Sequence, residues 1–231
     1  MTRELSIPHQ DLQLSALLDT AADPQGLMVL AHGSGAGKDH DFLAGYAGAM
    51  AAGGVSVLRF NFPYMDAGKK FPDRAPAAVA AWNSVRDFAA SQLADGLPLV
   101  AAGKSFGGRV ASMAVAEGMA ADALVFLGYP LHAPGKQEKL RDEHLYPLDT
   151  PMLFLEGTRD PFADVQLMTS VAARLNQHST LQWFEGGNHS FKVARSGRTP
   201  AQDGAWLAPA SLDFLASLRG QGLLPGAGER G

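Results

Sequence analysis

The sequence predicts an α/β fold in three layers: a mostly parallel sheet with helices on both faces. Two observations predict it. Short runs rich in Val, Leu and Phe recur between longer segments of helical period, as expected of strands buried on both faces and joined by crossover helices. The 231 residues are 46 % apolar and 18 % charged, which suits one globular core and leaves no room for a second full domain. We expect a single domain over residues 1–219. Residues 220–231, almost all Gly, Pro and polar after Leu223-Leu224, are expected to form a disordered tail.

Residues 3–18 alternate around Pro8-His9-Gln10, predicting two short strands joined by a turn, antiparallel at the sheet edge. Leu27–Ala31 begins the parallel set. Phe42, Leu43, Tyr46, Ala47 and Met50 then fall on one helical face, opened by Asp39 and closed by Gly53-Gly54. After the strand Val55–Phe60, Pro76 sits where a first helical turn accepts it, and Val79, Trp82, Val85 and Phe88 keep a three-to-four spacing toward Leu93. The strand Leu97–Ala102 feeds a helix after Gly107. Ala123–Leu127, Met152–Leu155 and Leu181–Phe184 bring the parallel strands to six. Met168, Val171, Ala172 and Leu175 mark a further helix, and Leu212, Leu215 and Leu218 the last one. Two long connections, Asn61 to Ala75 and Tyr129 to Thr150, lack periodicity, and long loops in compact domains are often functional. No internal repeat is visible.

Nineteen Lys plus Arg against 23 Asp plus Glu give a formal charge of −4, so no global positive field favours nucleic acid. With no cysteine there is no disulfide framework, Cys nucleophile or thiolate metal site. The first fourteen residues mix charges among apolar residues, unlike a secretory signal, and no apolar run approaches the ~20 residues that span a bilayer. The expectation is a soluble cytoplasmic protein without membrane contact, for which the triplet Asn188-His189-Ser190 is no glycosylation site.

The most informative stretch is the strand that runs through Gly103-Lys104-Ser105-Phe106-Gly107 into a helical pattern. A G-x-S-x-G in that context is a nucleophile elbow, whose tight turn admits only glycine two positions before and after the serine. It lifts the Ser105 hydroxyl above the sheet edge and turns the Phe106 N–H toward the place where an oxyanion would form. A P-loop would require glycine at position 98, which is Pro98 inside a strand. The loop His32-Gly33-Ser34-Gly35-Ala36-Gly37 follows an earlier strand, and its glycines could simply let the chain enter the next helix. As an oxyanion loop it would supply a second donor from Ser34, with Gly35 the alternative and His32 structural.

A serine hydroxyl needs a base, and the base an orienting carboxylate. The strand ending at Leu155 runs into Glu156-Gly-Thr-Arg-Asp160, and the next into Glu185-Gly-Gly-Asn-His189. Asp160 and His189 thus stand at the carboxyl edge of the sheet, where ligand groups gather, in the order Ser, acid, His. Glu156 and Asp164 are reserve acids. No other histidine has a suitable position or a metal-binding spacing, so neither metal nor cofactor is expected.

His32-Gly-Ser-Gly-Ala-Gly, Arg59-Phe-Asn-Phe-Pro-Tyr64, Gly103-Lys-Ser-Phe-Gly-Gly-Arg109, Leu127-Gly-Tyr-Pro130, Gly157-Thr-Arg-Asp-Pro-Phe162 and Gly187-Asn-His-Ser-Phe191 together resemble one α/β-hydrolase subgroup. This predicted-hydrolase group is related to dienelactone hydrolases and includes the testis-expressed and NSL-complex-subunit homologues. The similarity covers about Leu27 to Thr199. It implies a Ser105, Asp160, His189 triad and little or no cap, but no substrate. Dienelactone hydrolases carry a cysteine nucleophile, which this chain lacks.

The expected function is hydrolysis of an ester or related acyl bond of a small compact substrate through an acyl-enzyme; the alternative is a binding or scaffold protein keeping the fold without its chemistry. Oligomeric state, substrate and acyl acceptor are left unassigned. Tyr64, Phe71 and Tyr129 are expected to wall the pocket. Lys104 either pairs with Glu156 or Asp41 to steady the elbow or, helped by Arg159, attracts substrates with a negative group.

Overall fold

The computed structural model describes residues 1–69 and 71–224. Its frame is one eight-stranded sheet: β1 (Thr2–His9), β2 (Leu12–Asp19), β3 (Gly26–Ala31), β4 (Val55–Phe60), β5 (Leu99–Lys104), β6 (Ala123–Leu127), β7 (Met152–Gly157) and β8 (Thr180–Phe184), in spatial order β1-β2-β4-β3-β5-β6-β7-β8. β3 to β8 run parallel, while β2 pairs antiparallel with both β1 and β4, placing the expected hairpin at the sheet edge. Central strands are buried along their length, which is why they read as continuous apolar runs rather than alternating ones.

Alternate residues of each strand feed two separate cores. One face, including Val29, Ala31, Ala101 and Phe126, packs under α3 (Ala75–Gln92), α4 (Phe106–Ala116) and α5 (Val165–Ala172). The other, including Met28, Leu30, Val100 and Val125, packs under α1 (Asp41–Ala52) and α7 (Ala208–Gly220). The five α1 residues expected on one face are its buried ones.

Three local expectations change. α1 is opened by His40, whose Nδ1 accepts the Phe42 N–H at 3.2 Å, not by Asp39, which is exposed and pairs with Lys38. β5 starts at Leu99 and runs through Lys104, so the turn falls at Ser105 itself. Gly220 belongs to α7, the Leu223 N–H bonds back to the Leu218 carbonyl, and Leu224 is buried in the second core. The rest of the expected tail, 225–231, lies outside the described residues.

Two short helices had no periodic signal: α2 (Pro63–Asp66) and α6 (Pro200–Ala205). α6 begins with a capping box in which Thr199 and Gln202 satisfy each other's backbone N–H groups. It lies backbone to backbone on α1. A Cβ on Gly45 would fall 2.0 Å from the Ala201 carbonyl oxygen, and one on Gly204 would fall 1.9 Å from that of Phe42. Gly48 of the same helix faces open space. Gly45→Ala should therefore force α1 and α6 apart and lower the unfolding free energy by about 1–3 kcal/mol or more. Gly48→Ala should raise it by up to about 1 kcal/mol through helix propensity alone. Urea midpoints of the two variants check both signs.

Candidate active site

β5 delivers its chain into a turn with almost no free volume. Ser105 has φ 50° and ψ −114°, a left-handed conformation costly for any residue with a side chain. A Cβ on Gly103 would sit 2.2 Å from the Gly108 nitrogen, and one on Gly107 would sit 2.5 Å from the His32 carbonyl oxygen. Glycine is thus required on both sides of the serine. Trp82 on α3 anchors the start of α4, its Nε1–H donating to the Gly107 carbonyl at 3.1 Å.

The ends of β7 and β8 are pressed together in the same way. A Cβ on Gly157 would lie 2.2 Å from the Gly187 carbonyl oxygen, and that carbonyl accepts the Arg159 N–H at 2.8 Å. Asn188 then organises the second loop, its side-chain oxygen accepting the Ser190 and Lys192 N–H groups. These contacts bring Asp160 and His189 side by side.

The Asp160 Oδ2 to His189 Nδ1 distance is 2.6 Å, and His189 Nε2 lies 2.8 Å from Ser105 Oγ. A carboxylate only accepts, so Nδ1 carries the imidazole proton and Nε2 is left to accept from the serine hydroxyl. Asp160 Oδ1 accepts the Phe162 N–H at 2.8 Å, and the Phe162 ring lies against the imidazole, centroids 4.4 Å apart. Burial holds the His189 pKa below its usual value, against the raising effect of Asp160, and the nearby Lys104 charge lowers it further. Neither reserve acid reaches the histidine. Glu156 is fully buried and accepts the Tyr129 N–H, while Asp164 caps α5 through the Gln166 and Leu167 N–H groups.

The loop after β3 abuts the elbow: a Cβ on Gly33 would touch Lys104 Cγ at 3.5 Å and Ser105 Cβ at 3.6 Å. Ser34 is exposed toward the cavity, and neither its N–H nor that of Phe106 is used by another group among the described residues. His32 is a strut. Its Nδ1–H donates to the Gly33 carbonyl at 2.8 Å, its Nε2 accepts the Phe62 N–H at 3.1 Å, and burial lowers its pKa, keeping it neutral.

Above Ser105 opens a cavity of about 730 Å³. Phe42, Leu43 and Pro200, from α1 and α6, line it, and so do Arg109, Pro130, Arg141 and Phe162. Several expected pocket residues lie elsewhere. Tyr64 and Tyr129 are buried in the core beneath α3 and α4, because their rings complete aromatic clusters with Phe62 and Phe126. Phe71 and Arg159 are exposed outside the cavity.

Lys104 sits between its two expected roles. As the last residue of β5 it shares the face of Val100 and Ala102, and its stem reaches the cavity floor while its ammonium turns inward. The Nζ is buried without a hydrogen bond, 5.9 Å from the Phe191 ring centroid, and desolvation brings its pKa to about 8 against the pull of Asp160 and Glu156. Its Nζ is turned away from solvent, and it makes no ion pair within 4 Å of Glu156 or Asp41. Arg109, Arg141 and Lys192 are cavity cations that sequence reasoning passed over. The position of Arg109, one helical turn after Ser105, was the available signal.

Residues 24–216 match the family described as the alpha/beta hydrolase domain. The chain belongs to that family. Among solved structures similar to this hydrolase is a dienelactone hydrolase from Anabaena variabilis, at 17 % identity and TM-score 0.76, with 94 % of this chain and 97 % of that one covered. Another is an α/β serine hydrolase without lid from Xanthomonas campestris, at 20 % identity and TM-score 0.73, with 97 % and 96 % covered. A third, Est1E from Butyrivibrio proteoclasticus, matches at 15 % identity and TM-score 0.70, with 92 % and 99 % covered. At these identities the likeness is one of fold. No described helix is long and apolar enough to cross a membrane, and no described group of three or more His, Cys, Asp or Glu could hold a metal ion.

The buried ammonium gives a direct test of these electrostatics. In an NMR titration, His189 should protonate below pH 6.5, and Lys104→Met should move its midpoint upward, because a nearby positive charge disfavours the imidazolium. An unchanged midpoint in the folded variant would show that Lys104 does not act on the histidine.

Proposed function

We propose that this hydrolase cleaves an ester or related acyl bond of a small compact substrate through Ser105, His189 and Asp160. The observation that carries the reading is the unbroken hydrogen-bonded chain from Asp160 through His189 to Ser105, with the serine on a strained elbow. In the proposed reaction Ser105 Oγ attacks the carbonyl carbon as its proton passes to His189 Nε2, and Asp160 stabilises the imidazolium. The Phe106 and Ser34 N–H groups receive the oxyanion. The tetrahedral intermediate collapses to an acyl-enzyme, the leaving alcohol taking the proton from Nε2. Water, deprotonated by the same nitrogen, then releases the acid and restores the serine.

The site is open above Ser105, without a lid domain among the described residues, which supports compact substrates and activity without an interface. The reading uses no metal or cofactor, treats the chain as a single-domain cytoplasmic enzyme, and places it with the testis-expressed and NSL-subunit-like hydrolases through the motifs they share. A scaffold role would leave the hydrogen-bonded triad and the unused N–H donors without purpose.

A fluorophosphonate probe should label Ser105, located by mass spectrometry of the labelled peptide. Ser105→Ala should abolish labelling and lower kcat for small activated esters by ~10⁴ or more. Full esterase activity in that variant would overturn the mechanism. The base works as neutral imidazole, so the acidic limb of kcat/KM should have its midpoint below pH 6.5, with activity lost as pH falls through the depressed His189 pKa.

A further inference from the structure

The cavity holds two guanidinium groups that form no ion pair among the described residues. Arg109 sits on α4 one turn beyond the nucleophile, its N–H bonded to the Ser105 carbonyl at 3.0 Å, and its side chain lines the cavity containing Ser105 and His189. Arg141 enters from the β6–β7 connection, with Nη1 donating to the Pro130 carbonyl at 3.2 Å. Neither arginine belongs to any ion pair among the described residues, and the Arg109 side chain makes no hydrogen bond, with Nε buried and unpartnered.

Their placement is costly. Buried polar groups normally find partners, and a partly desolvated cation without a carboxylate is a rarer case. The two also oppose each other, since the Arg141 pKa is lowered first by burial and then by the Arg109 charge. Neighbouring His144, in contact with Ser112, is pushed down to about 4, chiefly by burial and further by Arg109. The nearby carboxylate of Asp142 is buried and takes the Tyr146 hydroxyl. It does not bridge to either guanidinium.

We propose that Arg109 and Arg141 form an anion-binding subsite of this pocket, so that the natural substrate is an ester carrying a carboxylate on its acyl or alcohol part. The inference rests on the esterase reading above and names its substrate class. A carboxylate between the two would satisfy the unused donors, relieve the mutual repulsion and fix the scissile carbonyl relative to Ser105 and its oxyanion donors. The fork of a guanidinium suits the two oxygens of a carboxylate better than a lysine ammonium does. The subsite therefore supplies orientation as well as charge.

Two matched pairs of substrates test the proposal. One is 4-nitrophenyl hydrogen succinate against its methyl ester; the other is 4-carboxyphenyl acetate against 4-(methoxycarbonyl)phenyl acetate. In at least one pair the charged member should have the higher kcat/KM by about 10- to 150-fold, a preference that added salt erodes. Arg109→Gln and Arg141→Gln should each collapse that ratio, and Arg109→Lys should restore it only in part. Independently of turnover, succinate should raise the melting temperature of the Ser105→Ala protein, and either Arg→Gln change added to it should remove the rise. A stronger effect of inorganic phosphate than of succinate would assign the site to phosphorylated substrates and overturn the carboxylate form of the proposal. Equal kcat/KM within both pairs, or a preference that survives loss of both arginines, would overturn the subsite while leaving the esterase reading standing. Absence of Ser105 labelling and of all ester turnover, together with arginine-dependent succinate binding, would reject the esterase reading and keep the subsite.

Discussion

At the end of β5 the chain reverses in a space that excludes any side chain at Gly103 and Gly107, and the remainder of the site is assembled around that exclusion. Because a Cβ on Gly107 would strike the Ala31 and His32 carbonyls, α4 starts directly against the end of β3. The loop leaving β3 must then pass over the turn, carrying Ser34 to the serine. Strain at Ser105 is held in place by close packing on several sides, including Trp82, rather than by a hydrogen bond of its own side chain to the turn.

Much of the polar chemistry near the site is carpentry. Arg59, at 4 % exposure, donates to Asp19 at 2.8 Å and to the Lys38 carbonyl at 2.7 Å. Asn61 accepts the Lys38 N–H at 2.7 Å and donates to Asp66 at 2.8 Å. With His32, these groups fasten residues 33–40 to the ends of β4 and α2. Removing one partner of a buried pair such as Arg59 and Asp19 typically costs about 3–5 kcal/mol, because the other charge stays behind. The Arg59-Phe-Asn-Phe-Pro-Tyr64 motif therefore reads as support for the loop, and Tyr64 as part of its packing.

The sheet, its crossover helices and the association of Ser105, Asp160 and His189 were legible because each leaves a local mark: an apolar run, a helical stripe, or a strand ending in a loop at one edge. The α2 and α6 helices were not, since four and six residues are too few to show a period. The place of Lys104 was left open for a geometric reason. Adjacency to Ser105 left open whether it steadies the elbow or meets the substrate; the strand's alternation sends its ammonium toward the second core, within reach of the Asp160 and Glu156 charges. Arg141 is 32 residues beyond Arg109 and sits in an aperiodic connection, so only the fold brings the two together. Tyr129 and Glu156 meet for the same reason, through the parallel register of β6 and β7.

The two sides of the cavity differ in what fixes their position. On the α1–α6 side, backbone lies on backbone at Gly45 and Gly204, so the wall stands as far back as its peptide groups allow. On the other side the lining comes from Pro130, Arg141 and Phe162, all in connections between elements. Diversification of this scaffold, in natural lineages or in mutant libraries, is thereby channelled. Changes in the β6–β7 and β7–α5 connections can alter substrate range without disturbing the glycine-packed wall, which supplies a fixed reference surface.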